Sequence, residues 1–295
     1  ISGNHDSAER LSFASRVLRG TGLFLCGDLY HTLEPVILKD DDGEVVFAPL
    51  PYAEPGKVRE ALSADVHTHE EAERVLSDFL LRQMGHAARK VAIAHEFVAG
   101  GSASDSERPL SIGGTDLISA DVFAPYNYTA LGHLHGPQKA GGKENVRYSG
   151  SLLKYSFSEA TQKKGVIVGE IGGAGQVKTT FISLSPRHDV RVIKGFFDDL
   201  IKGESEDFLM AELLDEGPVI DAMARLRQKY PRMMTIQSHR KMNSGSGERS
   251  FDLMKKVDPL DMFRVFYKEF QDKEFTEEEE NYMKELWEDL RKEDD

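Results

Sequence analysis

The chain has one cysteine, Cys26, among its 295 residues. That excludes an intramolecular disulfide and any zinc-thiolate site, and it fits a reducing, cytoplasmic setting. Phe24 and Leu25 precede it, so the thiol is expected to be buried and inert. No run of about 18 uncharged apolar residues marks a bilayer-spanning segment, and no charged stretch followed by an apolar one reads as a secretory signal. Basic charge is short as well: 37 Lys and Arg stand against 50 Asp and Glu, for a net charge of −13. Coating nucleic acid by bulk attraction needs the opposite balance. The acid is concentrated in Asp40 to Asp42 and in the tail from Glu274 to Asp295, so a local basic groove elsewhere is compatible with the sum.

What is present is an alternation of short apolar runs with helical patterns over residues 1–185, as an α/β architecture requires. Ser7 to Arg19 reads as a helix, with Leu11, Phe13, Ala14, Val17 and Leu18 near one face. "GLFLCGD", "EPVILKD" and "EVVFAPLPY" read as strands, the last two joined by a hairpin turning at Asp42-Gly43. Glu70 to Arg89 reads as an amphipathic helix feeding the strand "KVAIAHEFV". A polar loop, "AGGSASDSERPLSIGG", precedes the buried strand "YTALGHLH", and "NVRYSGSLL" and "KGVIVGEIGG" are expected to continue the sheet.

Residues 186–240 have a different character. "EDFLMAELLD", a helix from about Pro218 to Lys229 and "RMMTIQSH" form a small βαβ-like unit, with Pro218 suited to a first helical turn. Residues 241–257, including "KMNSGSGERS", have the composition of a flexible linker. Two helices are expected over 258–295. The first carries Met262, Phe263, Phe266, Tyr267 and Phe270 at i, i+1, i+4, i+5 and i+8, a stripe too apolar to face water alone. It is matched equally by a partner surface or by Leu286 and Trp287 of the second helix, which Thr276 and Glu279 begin as a capping box.

Three places carry chemistry. Gly3-Asn4-His5-Asp6 ends one short strand and precedes a helix. An asparagine oxygen can ligate a divalent cation, and a histidine beside an aspartate can be held as a proton donor. Read by itself, the triplet also fits an Asx turn capping the helix. His95-Glu96 closes an apolar strand, where a lone histidine often has a structural role. In Gly132-His133-Leu134-His135-Gly136, strand alternation would send both imidazoles to one side, to bind one metal together or two separately. Three apolar strands each ending in Asn or His form a constellation, because open α/β sheets gather ligands at strand carboxyl ends. An oxygen and imidazole set without thiolates suits Mn, Fe or Zn, with manganese favoured where carboxylates join.

"GNHD", the strand-end histidine of "AHEFV" and "GHLH" resemble the last three of five signature motifs of the calcineurin-like metallophosphoesterases. Within that superfamily, "ISGNHDSAERLSF", "GGSASDSERPLSIGG", "ALGHLHGPQ" and "RYSGSLLKYSFSE" are similar to the double-strand-break repair nucleases, and among these to the bacterial SbcD exonucleases. The likeness runs from Ile1 to about Ser185 and continues more loosely through "DEGPVIDAMARLRQKYP" and "DPLDMFRVFYKEF". The fold it implies is a metallophosphoesterase β-sandwich flanked by helices over 1–185, then a small α+β capping domain over 186–240 and C-terminal helices. It implies Asn4, His95 and His133 as ligands of one metal and His135 as a ligand of a second, with His5 the transition-state histidine and Asp6 orienting it. The implied activity is metal-dependent hydrolysis of DNA, 3′ to 5′ on double strands and endonucleolytic on single strands and hairpins, in repair, recombination and replication. The implied partners are DNA, a second nuclease copy and the SbcC ATPase, whose coiled-coil root would receive the C-terminal helices.

The family's Asp-x-His and Gly-Asp-x-x-Asp motifs, which precede GNHD and supply the bridging aspartate, have no counterpart here, since Gly27-Asp28 follows GNHD. With isoleucine as its first residue, the sequence is therefore expected to start within the nuclease domain, lacking the first strands. The chain alone is expected to bind metal weakly and cleave slowly. Arg108, Lys139, Lys143, Arg147 and Lys154 lie near the motifs and are candidates for phosphate contacts or ordinary solvated charges. Two other functions fit parts of the pattern: a different calcineurin-like phosphoesterase, and a non-catalytic DNA-end-binding module.

Overall fold

A computed structural model describes residues 1–104, 117–215 and 217–238, with Arg264, Tyr267, Thr276, Glu279, Glu280, Tyr282 and Met283 of the C-terminal region. The chain divides into two compact units, Ile1–His239 and Arg240–Asp295. Loop residues 105–116 with Arg108, the linker 241–257, and Met262, Phe263, Phe266, Phe270, Leu286 and Trp287 lie outside the described residues. Among those described, no helix is long and apolar enough to cross a membrane.

The first unit is mixed α/β. Two short helices, α1 (Ala8–Ser12) and α2 (Ser15–Arg19), lead to β1 (Val36–Asp40) and β2 (Gly43–Leu50). Helices α3 (Pro55–Leu62) and α4 (His69–Met84) then precede β3 (Lys90–His95). The short strands β4 (Phe97–Val98) and β5 (Leu117–Ile118) pair with each other, and β6 (Tyr128–Gly132), β7 (Gln138–Ala140) and β8 (Lys143–Tyr148) follow. The six-stranded sheet has the order β1-β2-β3-β6-β8-β7. Its inner strands β2, β3, β6 and β8 are parallel, and β1 and β7 close the two edges antiparallel.

Helix α4 lies on this sheet because its sequence sets both ends and one face. Thr68 and Glu71 form a capping box, satisfying amide groups that the first turn leaves open. Ala72, Leu76, Leu80 and Met84 recur at helical spacing and are buried, and at about 1.5–3 kcal/mol for each large side chain this face is what binds the helix to β2. Gly85, at φ 55°, ends the helix, short of the Arg89 expected from periodicity. Arg89 instead returns to the sheet, fully buried, and its guanidinium donates to Asp40 at 2.6 and 2.8 Å.

Other expectations are corrected. The helix over Ser7–Arg19 is broken at Ala14, which takes φ 61°, and Phe13 and Val17 stay exposed. "GLFLCGD" forms no strand: Cys26 O accepts from Ser2 N–H, while the Gly27 and Asp28 amides go to the Thr32 and Ser12 hydroxyls. These two amides are thus spent on side chains instead of a ladder, while those of Gly22 and Leu23 close turns onto Arg19 O and Leu18 O. Cys26 is buried as expected, and burial pushes its thiol up to about 11. The hairpin turns one residue earlier than read, with Asp40 paired to Gly43. "KGVIVGEIGG" leaves the main sheet, since β9 (Gly165–Ile171) pairs only with β10 (Val177–Ser183).

Strands β11 (Val190–Gly195), β12 (Phe208–Leu213) and β13 (Met233–Ser238) form a parallel sheet in that order. Its crossovers carry α5 (Phe197–Leu200) and α6 (Ala222–Arg227); the βαβ reading holds for β12, α6 and β13, to which β11 and α5 add a second such unit, and α6 is shorter than expected because Asp221 at φ 52° sets its start. Phe197, Leu209, Leu213, Leu226 and Met233 make a core separate from that of the large sheet. In the second unit, Thr276 and Glu279 do form the expected capping box, at 2.9 and 3.3 Å.

Candidate metal centre

Parallel pairing puts the carboxyl ends of β2, β3 and β6 side by side. His95, the last residue of β3, is in register with Gly132, the last of β6. Ser2 joins the same edge: its carbonyl accepts from Tyr52 N–H at 3.1 Å, just past the end of β2. Asn4 is thereby carried to His95, and His95 Nε2 lies 3.0 Å from Asn4 Oδ1.

The His95 ring is held by shape. A Cβ on Gly3 would stand 2.6 Å from its Cε1, and one on Gly132 would stand 2.8 Å from its Nδ1. The two glycines form a slot as wide as an imidazole. The His133 ring meets His95 edge to face at 5.5 Å, and Phe97 backs His133 at 5.8 Å. Burial, with His133 as the next cause, lowers the His95 pKa to about 4, which leaves the ring neutral at pH 7. Tyr148, fully buried, donates its hydroxyl to Glu96 O at 2.7 Å and accepts from Val98 N–H at 2.8 Å, fixing the chain just beyond His95.

Strand alternation does not orient the two later histidines. β6 ends at Gly132, and His133 turns away with φ 103°, a conformation that costs a non-glycine residue about 1–3 kcal/mol. His133 therefore joins His95, while His135 is held by a different set. Its Nδ1 lies 2.9 Å from Glu159 Oε1, and its carbonyl accepts from Ser151 N–H at 3.0 Å and Lys164 Nζ at 2.8 Å. Glu159 Oε2 pairs with Lys164 Nζ at 2.6 Å, both side chains being buried.

His5 and Asp6 are exposed at the mouth of the site, and both act electrostatically on His95. The Asp6 carboxylate accepts from Gly3 N–H at 2.8 Å, and Asp6 N–H returns to Gly3 O at 3.1 Å. That closes the turn carrying Asn4 and His5. A cleft of about 570 Å³ opens beside it, lined by Asn4, Asp6, Asp28, Tyr52 and Glu54 among others.

Among the described residues, no group of three or more His, Cys, Asp or Glu is placed to hold a metal ion. The smaller set of Asn4 oxygen with the His95 and His133 imidazoles is chemically suited to a divalent cation, since its donors are an amide oxygen and imidazoles, one of them kept neutral by burial. Two donors 3.0 Å apart have the spacing of adjacent ligands in a shell with bonds of about 2.1 Å.

Four of the candidate phosphate-binding cations are among the described residues, and each is engaged within the fold. Lys139 pairs with Glu144, Lys143 with Asp121 at 2.6 Å, and Lys154 with Asp189 at 2.9 Å. Arg147 donates to Thr179 Oγ1 at 3.0 Å. Sequence reasoning missed Gly3 and Gly132 as walls, Tyr148 as a brace, and Glu159 with Lys164 as the seat of His135. The only trace of the last pair was an acid and a lysine on either side of "ATQK", a signal indistinguishable from surface charge.

Residues 186–270 match the family model SbcD_C, described as "Type 5 capsule protein repressor C-terminal domain". They include the whole β11–β13 sheet. This part of the chain is thus similar to the C-terminal domain of SbcD proteins.

Proposed function

We propose that this chain is the nuclease subunit of an SbcCD-type complex, which hydrolyses phosphodiester bonds of DNA in repair, recombination and replication. The reading includes 3′ to 5′ exonuclease action on duplex ends and endonuclease action on single strands and hairpins. The observation that carries it is the approach of Asn4, His95 and His133 at the carboxyl edge of parallel strands, in a chain whose later residues match SbcD_C. Under this proposal the large sheet belongs to a calcineurin-like β-sandwich and residues 186–240 cap it.

Asn4, His95 and His133 hold one divalent ion and His135 takes part in holding a second, with manganese favoured. When bound, such ions supply Lewis-acid polarisation of the phosphate oxygens. The residues of the chain do the rest. His5, exposed at the mouth, gives its proton to the leaving oxygen. Asp6 keeps the Gly3–Asp6 turn closed, and so keeps Asn4 and His5 in place together. The C-terminal helices dock on the coiled-coil root of an SbcC ATPase, and the nuclease pairs with a second copy of itself.

The test is end-labelled duplex DNA with Mn2+ beside a phosphomonoester, using the chain and its His95→Ala variant. Slow, metal-dependent shortening of DNA that the variant lacks supports the reading. Hydrolysis of the phosphomonoester with intact DNA, or equal cleavage by the variant, overturns it.

A further inference from the structure

A few residues past the end of β8, the chain holds three apolar side chains out to solvent beside His135. Leu152, Leu153 and Tyr155 are 58, 51 and 69 % exposed, yet the backbone that carries them is tied down. Ser151 N–H donates to His135 O at 3.0 Å, and the Ser151 hydroxyl donates to Leu153 O at 2.7 Å. Tyr155 N–H donates to Glu159 Oε2 at 3.3 Å. Lys154 takes the inward place, its Nζ reaching Ala160 O at 2.8 Å, Asp189 Oδ2 at 2.9 Å and Val190 O at 3.2 Å. Its neighbours on either side are left outward. The Tyr155 ring tilts against the His135 ring at 56°, with centroids 5.5 Å apart, so the apolar strip starts at a candidate metal ligand. Leu152 and Leu153 continue it into a cleft of about 410 Å³, whose lining includes Lys163, Ser183 and Ser185. Lys163 is exposed there.

We propose that Tyr155 is a stacking platform for the unpaired terminal base of a DNA strand held at the candidate centre, with Leu152 and Leu153 as apolar walls and Lys163 as a phosphate contact. The proposal rests on the reading of the chain as a DNA nuclease, and adds to it the place where the strand end is gripped. Exposed apolar side chains gathered in one patch mark a binding surface more often than chance. The chemistry beside this patch narrows the occupant: an aromatic ring, hydroxyls and an ammonium match a nucleotide, which offers a flat π-face and an anionic phosphate together. Stacking needs one open face of the ring. The His135 contact is tilted and takes one side only, and the exposure of Tyr155 leaves the rest to solvent. Because the backbone on both sides is already hydrogen-bonded, little order has to be imposed when a base arrives. Every base has a π-face, so a platform of this kind grips a strand end without reading its sequence.

The experiment measures binding by fluorescence anisotropy with the full chain and a metal chelator, so that no DNA is cleaved. The probes are two hairpin duplexes with a one-nucleotide 3′ overhang, one bearing adenine and the other an abasic residue. The wild type is expected to bind the base-bearing end about tenfold more tightly than the abasic one. Tyr155→Ala is expected to bind both alike, and Tyr155→Phe, which keeps the ring, to restore the difference. Each ratio compares two DNAs on one protein, so a merely structural role of Tyr155 would not move it. Equal binding of the two ends by the wild type overturns the proposal without any variant, so a Tyr155→Ala chain that fails to fold leaves the test intact. A tenfold preference that survives in Tyr155→Ala overturns it as well. So does a patch that serves a second copy of the chain, seen as no preference between the DNAs and a smaller mass of Tyr155→Ala in light scattering. Metal-dependent shortening of end-labelled DNA without any preference for the base fails Tyr155 alone, whereas a chain that neither binds nor cleaves DNA fails the nuclease reading itself.

Discussion

The two imidazole regions of the candidate centre are built on different physics. His95 sits in a slot between two glycines, against another ring, and is kept neutral by burial. His135 is tethered to a buried ion pair whose ammonium also binds its backbone. Shape fixes the first ring and charge fixes the second. Shape tolerates loss of a charge nearby and fails when a methyl group is added; the charged seat tolerates small volume changes and fails when one partner is removed.

Breaking the charged seat should give the largest effect. Glu159→Ala leaves Lys164 buried without its carboxylate, and the expected loss is about 3–5 kcal/mol in urea unfolding. Adding Lys164→Met should recover most of it, and no recovery would mean that the pair acts through something other than charge. A second buried acid sharpens the contrast. Glu73 on α4 is fully enclosed, and desolvation raises its pKa from 4.5 to about 8. Ser77 and Tyr126 are bonded to each other at 2.9 Å, and Glu73 and Asp78 both act electrostatically on the Tyr126 hydroxyl. The folded state holds this proton more tightly than the unfolded one, so its contribution is complete below about pH 4.5. It falls as pH rises through about 8, by a few kcal/mol in total. Glu73→Gln should flatten that part of a stability-against-pH curve, whereas an unchanged slope would place the titration elsewhere.

The slot is expected to respond to volume. Gly132→Ala brings a Cβ to 2.8 Å from His95 Nδ1, at a cost of about 1–3 kcal/mol. Displacing the ring should lower metal-dependent cleavage by about 10²-fold, while the His135–Glu159 contact, read in the NMR signals of the His135 ring, stays as it was. Loss of both would show the two regions to be one. Smallest of all is the surface. Lys139 pairs with Glu144 in the open, so Lys139→Ala is expected to leave the melting temperature unchanged, and a clear drop in calorimetry would contradict that ranking.

Much of the large sheet was legible in the sequence. The apolar runs of β2, β3, β6 and β8, the helical period of α4 and the βαβ order of β12, α6 and β13 each follow from local period and turn chemistry. The failures lie where local pattern was overridden: "GLFLCGD" is apolar enough for a strand, yet its Gly27 and Asp28 amides found hydroxyl partners. "YTALGHLH" likewise promises alternation as far as His135, yet the strand stops at Gly132.

The sequence by itself determined the inventory: one buried cysteine, an acidic balance, and Asn4, His95, His133 and His135 at the ends of apolar runs. Tertiary structure alone decided their company, seating His95 between Gly3 and Gly132, setting His133 against it, and giving His135 to Glu159 and Lys164. Residue type and spacing are encoded along the chain, whereas these contacts join residues separated by dozens of positions. They form only when parallel strands come into register and burial makes each missing or added atom count.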